Sequence, residues 1–285
     1  MKLSEIMIRD PFILKSNITK EYYLYGTTNE KELGFYAYKS KDLENWEGPF
    51  KVFTPPSDFW GKRDFWAPEV YELDNKYYLI GTFKGDDHHR SCQILKADSP
   101  LGPFKIYSKE VTPIDWESLD GTLYFYNNKP YLIFVHEWTQ IDDGEMCIVE
   151  LSEDLKEAIG KPRTLFKGSE ANWAKVPNWA NKNIHVVDGP FVYKYKGDEY
   201  LLWSSFYKKG YNIGLTKPSK NILNSKLVHS NEPLPLIDSG HGMIFDDFNN
   251  NHFLVVHAEN SKNNLTHPII VPINFIDNKI ELEDK

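Results

Sequence analysis

Residues 119–138 read LDGTLYFYNNKPYLIFVHEW, two aromatic and β-branched runs joined at Asn127-Asn128. Runs of this composition favour strands, and paired Asn at the join is turn chemistry, so the stretch reads as two antiparallel strands. The same pairing recurs on both sides. Upstream stand RDPFILKS (9–16) with EYYLYGTT (21–28), then APEVYELD (67–74) with KYYLIGTF (76–83). Downstream stand VDGPFVYK (187–194) with DEYLLWSSF (198–206), then GHGMIFDDF (240–248) with HFLVVHAEN (252–260). Aligned at their openings, the first runs give the column Asp10, Ala67, Asp120, Asp188, His241, and the second runs give Tyr23, Tyr78, Tyr131, Tyr200, Phe253. Two independent columns keep one period of about 50 residues, stretched only before Asp188.

Each unit closes with two further short runs, as in GFYAYKSKDLENW (34–46) then GPFKVF (48–53), or CQILKADSPLG (92–102) then PFKIYS (103–108). Four short strands per repeat is the mark of a propeller blade, and five repeats give an all-β, five-bladed β-propeller. The stretch GSEANWAKVPNWANKNIHV (168–186) reads as a loop insertion between blades three and four. No linker divides the chain, so residues 1–285 are expected to form a single domain, and no long amphipathic helix interrupts it.

Composition narrows the partners. Net charge is -8, which argues against nucleic acid, because phosphate binding needs a basic stripe. Aromatic residues make up 15%, with 8 Trp and 17 Tyr, which suits strands and also offers flat faces for sugar rings. Only Cys92 and Cys147 are present, too few for a disulfide framework. The opening MKLSEIMIRDPFIL has no basic segment followed by an apolar run, and no run approaches a membrane span. A cytoplasmic protein with no membrane partner is the expectation, and the oligomeric state stays open.

In a propeller the first strand of each blade lines the central channel, so the first column becomes a ring of side chains at one mouth. Three of the five are Asp and one is His. Carboxylates gathered this closely repel, and burial raises at least one pKa. Any one Asp before Gly or Pro reads more readily as a turn residue than as a catalyst; three at one repeat position point to acid–base chemistry. Glycoside hydrolysis needs such a set: about 6.5–9.5 Å between carboxyl groups for inversion, about 5–5.5 Å for retention.

On Arg9-Asp10-Pro11-Phe12, Trp66-Ala67-Pro68-Glu69-Val70, Leu119-Asp120-Gly121 and Gly240-His241-Gly242, taken in order at blade spacing, the chain resembles glycoside hydrolase family 43. The resemblance implies an inverting hydrolase of arabinofuranosides, xylosides or related sugars. It implies Asp10 as the base that activates water and Asp120 as the carboxylate that orients the acid and tunes its pKa. The family's acid is typically a Glu before Gly-Pro in the fourth blade, where this chain has Val187-Asp188-Gly189-Pro190. Asp is one methylene shorter and reaches roughly 1.5 Å less far. Either Asp188 serves as the acid, or Glu69 or Glu137 replaces it, or a non-catalytic sugar-binding propeller remains. The last blade also has no arginine, since none follows Arg163, where the resemblance implies one beside the substrate.

Further substrate-binding candidates are Phe65 and Trp66 as a sugar platform, or alternatively plain blade packing, and Glu137, in His136-Glu137-Trp138, for a hydroxyl. His241 either takes a polar role on the axis or packs in the core; the resemblance implies water or a cation beside it, and no other cofactor. Asp86-Asp87-His88-His89 is metal-like in composition but falls in a turn, which favours a solvated loop. The expected activity is removal of a terminal sugar from short oligosaccharides, α-L-arabinofuranose first, then β-xylose or galactofuranose.

Overall fold

The computed structural model describes residues 1–28, 33–208, 210–260, 265–276 and 279–283. Blade one comprises β1 (Arg9–Ser16), β2 (Glu21–Thr27), β3 (Phe35–Ser40) and β4 (Trp46–Phe53). Blade two holds β5 (Arg63–Leu73), β6 (Lys76–Lys84), β7 (Ser91–Ala97) and β8 (Lys105–Glu110). Blade three holds β9 (Ser118–Tyr126), β10 (Lys129–His136), β11 (Glu145–Leu151) and β12 (Ala158–Lys167), with a one-turn helix α1 (Trp138–Ile141) between β10 and β11. Blade four holds β13 (Asp188–Tyr195), β14 (Asp198–Tyr207), β15 (Gly210–Pro218) and β16 (Leu227–His229). Blade five holds β17 (Ser239–Asp246), β18 (His252–Asn260), β19 (Leu265–Ile276) and β20 (Lys279–Leu282).

Each blade is one antiparallel sheet with its strands in chain order, so the five-bladed propeller expected from the repeats is the fold. Among the described residues no strand is shared between the first and last blades; hydrogen bonds through side chains join them, as where the Phe248 amide donates to the Tyr22 hydroxyl at 2.9 Å. The 168–186 insertion carries no strand and bridges blades three and four. No helix among the described residues is long and apolar enough to cross a membrane.

One backbone device repeats at the axis. The first strand of every blade breaks register near its start, and at the break stands a left-handed residue: Asp10 (φ 51°), Ala67 (43°), Asp120 (56°), Gly189 (54°) and His241 (44°). Such a corner leaves its amide without a ladder partner, and a buried amide must find one. The preceding blade supplies it. The Ala67 amide donates to Thr27 Oγ1 at 2.7 Å, Asp120 to Thr82 Oγ1 at 2.9 Å, and His241 to Ser204 Oγ at 2.8 Å. The Asp10 amide meets His257 Nδ1 at 3.2 Å and so closes the ring. Thr27, Thr82, Ser204 and His257 each lie four residues after Tyr23, Tyr78, Tyr200 and Phe253 in the second column. Blade three has Val135 there, which cannot accept, and the Gly189 amide donates instead to Asp120 Oδ2 at 3.0 Å.

These corners correct the sequence alignment in blade four. Its corner is Gly189, not Asp188. Alignment on Pro11, Pro68 and Pro190 gives this register directly. Asp188 therefore matches Arg9, Trp66, Leu119 and Gly240, each one step before its corner. Glycine is required at 189 because a Cβ there would lie 2.8 Å from the His241 ring.

Candidate active site

Asp10, Asp120, Asp188 and His241 open into one cavity of about 340 Å³ at the axial mouth, also walled by Arg9, Thr27, Thr28, Trp66, Leu119, Glu137, Trp138 and Tyr211. Asp10, Asp120 and His241 reach it from corners, whereas Asp188 enters from the residue before one.

His241 links the first two carboxylates: its Nδ1 lies 3.1 Å from Asp10 Oδ1 and 3.7 Å from Asp120 Oδ2. Burial disfavours its proton, but the Asp10 and Asp120 charges and the hydrogen bond to Asp10 win, and its pKa rises to about 10. Burial likewise opposes ionisation of Asp10. The imidazolium charge and the hydrogen bond from His241, with the His257 ring beside it, outweigh it and hold Asp10 well below the usual carboxylate range. The Thr27 hydroxyl donates to Asp10 Oδ2 at 2.6 Å.

Asp188 goes the other way. Burial, reinforced by the charge on Asp120, pushes it up to about 8, against the pull of His241 and the hydrogen bond at 3.0 Å that the Tyr211 hydroxyl donates to its Oδ2. Burial, with the Asp10 charge adding and His241 subtracting, takes Asp120 to about 6. At neutral pH one wall of the cavity thus carries an ionised carboxylate and another a protonated one, the split that acid–base hydrolysis requires. Asp120 acts on Asp188 twice, through its charge and through the Gly189 amide.

The remaining candidates separate. Trp66 lines the cavity, with the Arg90 guanidinium 4.8 Å over its ring. Arg90 also holds Glu137 at 2.6 Å, Asp64 at 2.9 Å and Glu117 at 3.2 Å, so Glu137 stands on the wall as half of an ion pair. Phe65 does not reach the cavity. Neighbours on a strand face opposite ways, and Phe65 is 6% exposed in a cluster with Phe35, Phe53, Phe59 and Phe83. Phe65→Ala is accordingly expected to cost about 3–5 kcal/mol in a urea unfolding titration, with the cavity chemistry of the folded fraction kept.

Glu69 lies below the cavity, where its carboxylate accepts from Tyr71, in contact with Thr122, and burial keeps it protonated up to about 8. It borders a second space of only about 10 Å³, shared with Asp10 and His241, enough for one water or ion. Among the described residues no group of three or more His, Cys, Asp or Glu is arranged to hold a metal, and a protonated His241 offers a cation no lone pair. The Asp86–His89 loop is engaged elsewhere: Arg63 pairs with Asp86 at 2.8 Å, His88 with Glu110 at 3.0 Å and His89 with Glu117 at 2.9 Å.

Sequence reasoning missed Tyr211, which arrives from β15 with no motif around it, and His257, which the second column marks. It also looked for a cavity arginine in blade five; Arg9 of blade one stands at the wall, 3.5 Å from His257 Nε2.

The chain is 40% identical to an endo-arabinase from Bacteroides thetaiotaomicron, covering 98% of both chains with a TM-score of 0.91. It is 25% identical to a β-xylosidase from Bacillus subtilis over 82% of this chain and 45% of that protein. It is 24% identical to a probable arabinan endo-1,5-α-L-arabinosidase C from Aspergillus niger over 53% of this chain. The chain spans about half the length of the curated relatives it matches. With the model of Glycosyl hydrolases family 43 matching residues 4–280, the chain belongs to that family.

Proposed function

We propose that the protein hydrolyses α-L-arabinofuranosyl linkages of arabinan-type chains with inversion at the anomeric carbon. The observation that carries the reading is the pairing, in one cavity, of Asp10 held ionised with Asp188 held protonated. Asp10 takes the proton of the attacking water, Asp188 gives its proton to the leaving oxygen, and Asp120 positions Asp188 and raises its pKa. His241 keeps Asp10 ionised. Glu137 is a weaker acid candidate because its carboxylate is bound to Arg90. The arabinan-type substrate is supported by the likeness to the Bacteroides endo-arabinase, and β-xylose removal, by the weaker likeness to the Bacillus β-xylosidase, is the second reading.

A panel of nitrophenyl glycosides with linear arabinan and xylan tests both. Turnover of the α-L-arabinofuranoside and arabinan, with little on the β-xyloside, is expected; the reverse order favours the second reading, and inactivity throughout leaves a sugar-binding propeller. Release of free arabinose alone would mark terminal cleavage, and a ladder of oligosaccharides internal cleavage. Proton NMR of the first-formed product should show the anomer opposite to the substrate's, and retention would refute the water-activating role of Asp10.

A further inference from the structure

The insertion between blades three and four puts an unusual side chain at the cavity mouth. Trp179 is 59% exposed, whereas Trp173 in the same insertion is 1% exposed and Trp203 beneath it 0%. Burying an indole is the ordinary outcome, and Trp173 and Trp203 already pack the insertion onto blade four, with ring centroids 4.7 Å apart. Trp179 instead stands beside Trp138, at 5.7 Å, and Trp138 is a wall of the cavity. The two indoles, inclined at 53° to each other, carry an aromatic strip from the cavity wall at Trp138 out to the exposed insertion at Trp179.

The strip is held in place. Across the insertion the Lys175 amide donates to the Phe206 carbonyl at 2.8 Å, and Asn178 Nδ2 to the Lys208 carbonyl at 3.4 Å. On the other side the His185 amide donates to the Asp142 carbonyl at 3.0 Å, and Lys182 pairs with Asp142. Trp179 also packs edge-on against Phe206 at 5.7 Å, Phe206 against Tyr211 at 5.6 Å, and Tyr211 holds Asp188. The strip therefore lies on the flank of Asp188, and an acid faces the leaving group.

We infer that Trp138 and Trp179 form a sugar-stacking platform on the leaving-group side, making the protein a hydrolase of chains that continue past the scissile bond. Trp138 serves the unit next to that bond, and Trp179 the units beyond it. The inference rests on the arabinofuranosyl reading above for the choice of sugar. Flat indole faces bury large apolar area without a polar partner, which suits the carbon face of a pentose ring.

The test compares Trp179→Ala with the parent on a nitrophenyl arabinofuranoside, whose leaving group ends at Trp138, and on a linear arabino-oligosaccharide of five units. The expected result is a loss of about tenfold or more in kcat/KM on the oligosaccharide, carried by KM, with the nitrophenyl substrate within about twofold. Equal loss on both, or no loss on either, overturns the platform. A binding measurement separates this from the functional reading: the oligosaccharide should quench tryptophan fluorescence of Asp10→Asn protein, and more weakly in the Asp10→Asn, Trp179→Ala double variant. Binding without hydrolysis in the parent sinks the proposed function and keeps the platform. Quenching unaltered by Trp179→Ala, or no quenching at all, sinks the platform.

Discussion

Asp188→Asn is expected to slow hydrolysis of an arabino-oligosaccharide by about 10²–10⁴-fold and to spare much more of the activity on a dinitrophenyl arabinofuranoside. A sugar leaves poorly unless its oxygen is protonated in the transition state, whereas dinitrophenolate needs little such help. Asn keeps an acceptor for the Tyr211 hydroxyl, so the variant should fold, which a thermal melt checks. The same assignment sets a pH dependence. Asp188 acts only while protonated and its pKa is raised to about 8, so kcat/KM on the oligosaccharide should be full below that value and lost as pH rises through it. Asp10 is lowered, so the acid side should hold until below the ordinary carboxylate range. If Asp188→Asn hits both substrates equally while Glu137→Gln or Glu69→Gln shows the leaving-group dependence, the acid lies elsewhere.

Asp10→Asn should damage both substrates alike, by about 10²–10⁴-fold, because water must be activated whatever the leaving group. A second readout does not depend on turnover. The Asp10 charge is the foremost of the forces holding His241 protonated, ahead of Asp120. Removing that charge should bring the His241 pKa down from about 10, so the ring loses its proton earlier as pH rises, which NMR titration of the imidazole can follow. Full retention of both activity and the His241 pKa would contradict the geometry at once.

The blades were legible because each pairs a turn with strands whose Tyr or Phe recurs at one position, as Tyr23, Tyr78, Tyr131, Tyr200 and Phe253 do. Asp10 and Asp120 were legible for the same reason. The offset of Asp188 was not, because an Asp column looks alike whether the left-handed residue is the Asp or the Gly after it; only the prolines at 11, 68 and 190 carry the register. Phe65 was left between sugar platform and blade packing although the sequence contains the rule that decides it, since strand neighbours face opposite ways and Trp66 can face the cavity only if Phe65 does not. Tyr211 and Arg90 were out of reach. Their importance comes from which strands the ring brings face to face, and nothing local to either residue records that.

Of the five axial corners only Gly189 is glycine; Asp10, Ala67, Asp120 and His241 hold side chains in left-handed backbone. Each such residue costs roughly 1–2 kcal/mol, offset by about 0.5–1 kcal/mol of the extra freedom a glycine would lose on folding. Pressure for heat resistance alone would therefore erode the ring toward glycine, and erosion at 10, 120 or 241 would remove a member of the proposed acid–base set along with the strain. Position 67 carries no acid and no base. It is the corner where an engineer can relax the backbone and leave the proposed acid–base residues in place, whereas at the other three the same relief would take one of those residues away.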